Sequence, residues 1–144
     1  MGVNEFWNCI DAIARDQPFR KDKLERLLDA RLARETENAY FMMYTLERRG
    51  RGPHPLRITA VDLRVKTGHP DHPGFLQLEI AGPQVSIGDL KSRYPRGSFT
   101  PPPPGNLSDD PEYTFATKEP WGQLMFGVSS GTNTVKSISF HPGE

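Results

Sequence analysis

The chain has 144 residues, enough for one domain with a real buried core. Its 18 basic and 18 acidic side chains cancel. That disfavours a protein whose main task is coating nucleic acid, because phosphate neutralisation supplies most of that affinity. Cys9 is the single cysteine, so no intramolecular disulfide forms, and no apolar run reaches the length of a membrane span.

In chain order, Phe6, Ile10 and Ile13 stand at helical spacing, with Trp7 and Ala14 widening the apolar face, and Pro18 stops this first helix. A second helix is predicted from an Asp22-x-x-Glu25 start that resembles a capping box. Leu24, Leu27, Leu28 and Leu32 give it one apolar stripe, and Arg31 and Glu35 are set to pair on its solvated side. From Ala39 the period changes, and AYFMMYTLE reads as a strand, followed by the loop RRGRGPHP.

LRITAVDLRVK alternates in two registers, which predicts a β-bulge near Thr59 and Ala60. TGHPDHPG is a turn, and FLQLEI is a strand facing inward through Leu76, Leu78 and Ile80. Ser86-x-x-Asp89 opens a short helix that Pro95 stops. Residues 95–111, with four consecutive prolines, read as an irregular loop. YTFATKE, GQLMFGV and VKSISFH are further strands, the last two forming a hairpin across Ser129 to Thr134. There Leu124, Phe126 and Val128 face Ile138 and Phe140.

The expected fold is α+β: two N-terminal helices packed on an antiparallel sheet of about five to six strands, with one short helix inserted. It is read as a single domain over 1–144, with a helical layer at 1–36, the sheet at 39–144 and the Pro-rich loop at 95–111.

His69, Asp71 and His72 supply ligand types that suit zinc, and a small metal-assisted hydrolase built on them is the alternative enzymatic reading. Pro70, Pro73 and Gly74 make an ordinary turn the preferred one, with no catalytic, metal or cofactor site expected. Cys9 has no partner base nearby and is read as a structural thiol. Ser129 and Ser130 do not fit a nucleophile elbow, and no phosphate-binding glycine loop or dinucleotide fingerprint occurs.

Arg48, Arg49, Arg51 and Arg57 are candidates for phosphate or an acidic partner. Pro101 to Pro104 form a polyproline II stretch, a stiff connector or an adaptor element. The preferred partner-binding residues are Asp109, Asp110 and Glu112, three carboxylates at the end of a proline-stiffened loop that suits a basic cleft.

VSIGDLKSRYP, the Pro-rich loop, EYTFATKEPWGQLMFGV and VKSISF together resemble bacterial immunity proteins of type VI secretion and polymorphic-toxin systems. The elements that carry the likeness are the helix start at Ser86 to Leu90, the Trp121–Gly122 pair and the closing strand. The resemblance implies a non-catalytic protein that binds and neutralises one cognate toxin. MGVNEFWNCIDAIARD lacks the pattern of a secretory signal, so the cytoplasm is the expected compartment, with a processed periplasmic form as the alternative.

Overall fold

The structure, a computed structural model, describes residues 3–52, 54–69, 72–82, 84–102, 105 and 111–143. Helices α1 (Val3–Arg15) and α2 (Lys21–Leu28) come first, then strands β1 (Ala30–Glu37), β2 (Phe41–Arg49), β3 (Ile58–Lys66) and β4 (Phe75–Ile80). Helix α3 (Ile87–Arg93) follows, then β5 (Ser98–Thr100), β6 (Glu112–Glu119), β7 (Gly122–Ser129) and β8 (Val135–Pro142). All eight strands form one antiparallel sheet in the order β1-β2-β3-β4-β8-β7-β6-β5.

Period-two alternation sends Val61, Leu63, Leu78, Phe126, Ile138 and Phe140 to one face, where all are buried. The helices lie on that face. Trp7 of α1 meets Phe126 edge-on at 6.1 Å and Tyr94, just past α3, at 5.6 Å. Phe19, ahead of α2, meets Phe140 at 5.8 Å. Burying rings of this size and crossing them edge to face is the main source of cohesion between the layers. The opposite face carries polar and small side chains such as Asp62, Gln77, Ser139 and Ala116.

Several sequence features fold as their chemistry dictates. The Ser86 hydroxyl accepts from Asp89 N–H while the Asp89 carboxylate accepts from Ser86 N–H, a complete capping box. The β3–β4 register slips between Ile58 and Ala60, so Thr59 is the bulge residue and both apolar sets stay inside. Leu124 pairs with Phe140 and Phe126 with Ile138 in the closing hairpin.

The helical layer is shorter than expected, and the sheet has eight strands rather than five or six. Helix α2 ends at Leu28 because Asp29 turns left-handed, at φ 49°. Residues 30–37 then form β1, so Leu32 is a strand residue and Arg31 reaches Glu47 across the hairpin instead of Glu35. The Asp22 capping box does not form, since the N-cap is Arg20 and no side chain caps it. Glu25 instead reaches forward, accepting from Leu32 N–H at 2.8 Å and from Lys21 Nζ at 3.2 Å. The other extra strand, β5, lies inside the Pro-rich segment. It pairs Phe99 with Phe115, made possible by Gly97, where any Cβ would overlap the Phe115 ring.

Two outcomes follow from this packing. Leu78→Ala removes a fully buried side chain from a central strand and lowers unfolding free energy by about 2–5 kcal/mol in urea melts. The second concerns acid. The Leu32 N–H bond, with help from Lys21, holds the Glu25 carboxyl below its ordinary value against the opposing effect of burial. Its contribution to stability is therefore present above the ordinary carboxylate range and is lost as pH falls through the lowered folded value. Glu25→Gln should flatten the acid side of the stability–pH curve, and urea melts from about pH 2 to about pH 7 measure it.

Candidate functional site

The GHPDHPG turn joins β3 to β4, and Asp71 lies outside the described residues, while His69 and His72 lie within them. His69 is exposed, and His72 N–H donates to the His69 carbonyl at 3.0 Å. The His72 ring is engaged locally, its Nδ1 accepting from Gly74 N–H at 3.0 Å. Arg20 donates to the His72 carbonyl at 3.2 Å, and Phe19 N–H donates to the Pro73 carbonyl at 2.7 Å, so the turn is fastened to the α1–α2 connection. Burial, followed by the charges of Lys66, His69 and Arg20, pushes the His72 imidazole below its ordinary pKa.

Asp109 and Asp110 fall outside the described residues. Glu112 opens β6 and is exposed, its carboxylate lying over Gly127 on the face away from the helices. The Cys9 thiol is pushed up to about 11 by burial, so the thiolate needed for nucleophilic attack is scarce at neutral pH. The Ser129 hydroxyl is buried and accepts from Thr132 N–H at 3.3 Å, a turn contact. Trp121 and Gly122 also have a local structural role. Trp121 stacks on Phe140 at 6.1 Å, and Gly122, at φ 149°, sits where a Cβ would overlap the β8 backbone.

The arginine segment is more ordered than its composition suggests. Arg48 and Arg49 end β2, and the following loop is clamped from both sides. Leu56 N–H donates to His54 Nδ1 at 3.1 Å, which leaves Nε2 to donate to the Leu27 carbonyl at 3.0 Å. Gln84 accepts from Arg57 N–H and donates to the Pro55 carbonyl, at 3.0 and 2.6 Å. Asp29 N–H caps α2, its carbonyl accepts from Gly50 N–H at 2.6 Å, and a Cβ at Gly50 would overlap the Asp29 carboxylate. A cavity of about 540 Å³ opens here, with Leu28, Leu56 and Ile58 as floor and Arg49 and Arg57 among its walls.

Sequence reasoning missed a second feature at the other end of the β1–β2 hairpin. Tyr40 is 70% exposed and Phe41 40%, placing two large aromatic side chains in water. Their turn is fixed. Asn38 Oδ1 accepts from Tyr40 N–H at 2.7 Å and from Phe41 N–H at 2.8 Å, and Thr67 N–H donates to the Tyr40 carbonyl at 2.8 Å. Beside it lies a groove of about 420 Å³ lined by Met42, Tyr44 and Val65, with Arg20, Lys66 and His69 also on its wall. The visible signal was the Asn-Ala-Tyr-Phe run at Asn38 to Phe41, where an Asx turn precedes two adjacent aromatics.

No protein-family model, curated protein or solved structure matches the chain. Among the described residues no helix is long and apolar enough to cross a membrane.

Replacing His69 and His72 together by alanine should cost only about 1 kcal/mol of stability, the value of the Gly74 N–H acceptor. Elemental analysis is the companion measurement. Stoichiometric zinc that disappears in the double variant would establish a metal centre instead.

Proposed function

We propose that this is a non-catalytic protein-binding domain, and specifically an immunity protein that neutralises a cognate bacterial toxin in the cytoplasm. The observation that supports binding most directly is the fixed turn at Asn38 to Phe41, which holds Tyr40 and Phe41 out in solvent. Large exposed aromatics are costly for solubility and are the side chains that dominate protein interfaces. A turn already ordered by its own hydrogen bonds loses little freedom on association. The choice of a toxin as partner rests on the resemblance carried by the Ser86 to Leu90 helix start, Trp121–Gly122 and the closing strand.

The aromatic turn thus takes the place of the acidic loop as the leading contact in this reading. Tyr40→Ala and Phe41→Ala are expected to leave the fold intact, because both side chains lie outside the core. Each should weaken binding to the product of the neighbouring gene by about 2 kcal/mol, roughly thirtyfold. Calorimetric titration and protection of growing cells on co-expression are the two readouts. A partner that binds both variants as tightly as the parent chain removes this turn from the interface.

A further inference from the structure

Three concavities follow one another around α2 and the base of the β1–β2 hairpin. The groove beside the aromatic turn shares Asp22 with a cavity of about 640 Å³ whose lining includes Arg26, Arg31 and Arg48. That cavity shares Asp29, Ala30, Arg49 and Gly50 with the one walled by Arg57. Along this path Arg26, Arg48, Arg49, Arg57 and Lys66 form no ion pair among the described residues. By contrast, the carboxylates of Glu25 and Glu47 are engaged, with Lys21 and Arg31. The uncompensated charge is thus mostly positive, in a chain whose formal charge is zero.

We propose that these linked concavities form one trough that takes an acidic segment of the protein partner. Carboxylates would meet Lys66, Arg49 and Arg57, and an apolar side chain would rest on Met42, Tyr44 and Val65. The inference rests on the binding reading above and adds the chemistry of the partner.

Two features favour an acidic polypeptide over a nucleic acid. Asp22 and Asp29 line the trough, and they repel an unbroken run of phosphates but tolerate carboxylates spaced along a chain. The apolar floor at Met42, Tyr44 and Val65 has no use for a sugar–phosphate backbone, whereas it suits an amphipathic peptide. The arginines are also presented on ordered backbone. Arg49 lies in β2, and Arg57 follows a loop held by His54 and Gln84, so a guanidinium fork there needs little reorganisation to meet a carboxylate.

The test uses the full chain and a fluorescein-labelled peptide of about a dozen residues repeating Glu-Glu-Leu, read by anisotropy, with its Lys-Lys-Leu counterpart and a single-stranded RNA of similar length as comparators. The acidic peptide should bind, the basic one should not, and the RNA should bind more weakly than the acidic peptide. Arg49→Glu and Lys66→Glu should each weaken the acidic peptide about tenfold, and raising salt from about 50 to about 300 mM should weaken the parent chain most. Equal binding by parent and reversed variants would overturn the proposal, as would no binding of the acidic peptide. Tighter binding of RNA would overturn it in favour of a nucleic-acid partner. The outcomes separate from those of the function itself: if Tyr40→Ala still weakens binding to the neighbouring gene's product while the acidic peptide fails, the trough is wrong and the binding reading stands.

Discussion

The left-handed residue Asp29 is the constraint on which the α2 end of this molecule depends. A helix of eight residues carries little stability of its own, so α2 persists through what it is fastened to. At Asp29 the chain reverses, and within a few residues it makes three attachments. The Asp29 N–H closes the helix on the Glu25 carbonyl, its C=O takes Gly50 N–H, and the Glu25 carboxylate takes the Leu32 N–H. These bonds convert a leucine-rich helical stripe into a helix and a strand that share one apolar face. They also fix the angle between α2 and the β1–β2 hairpin, and with it the shape of the cavities between them.

Edge strands need protection against pairing with other chains, and β1 shows how it is supplied here. Its register slips twice, between Arg31 and Leu32 and between Arg34 and Thr36, and its outer half is charged. Bulges and charges blunt an edge against backbone pairing. Under the proposed function, recognition at this end of the sheet would fall to side chains: the aromatics at the turn and the cations along the trough. The far edge is handled differently, with a strand of only three residues.

What was legible in the sequence followed from local chemistry. The Ser86 capping box, the Thr59 bulge, the turn at Asn133 and the alternation of β3, β4, β7 and β8 each depend on residues close in the chain, and each formed. β1 was not legible because ARLARETE has strong helix formers and no strand alternation, and its conformation is decided by β2 and by Asp29. β5 was hidden for the same reason, since Phe99 finds its partner Phe115 far along the chain. The candidate site was legible only in part. The arginines around position 50 stood out by composition, but the order that makes them a wall comes from His54 and Gln84, and Gln84 is twenty-seven positions beyond Arg57. The aromatic turn was hidden by reading Tyr40 and Phe41 as ordinary strand residues.

The two halves of the sheet carry different loads. On the α1 and α3 side, Trp7, Tyr94, Phe115 and Phe126 form a continuous ring network. On the α2 side the layer is aliphatic, with Leu24, Leu28, Leu32, Leu56 and Ile58 buried and Leu46, Tyr44 and Met42 half-buried, and polar clamps add to it. Hydrogen-bonded clamps at a surface contribute about 1 kcal/mol each, well below a buried ring, so this end of the sheet relies on several of them acting together. The aromatic turn lies at the opposite end of the same hairpin and is tied to Thr67 of the neighbouring turn, which holds its geometry. Under the proposed function, the fixed aromatic turn and the clamped arginine loop would place an apolar anchor and a set of cations at opposite ends of one pair of strands, each held in place before a partner arrives.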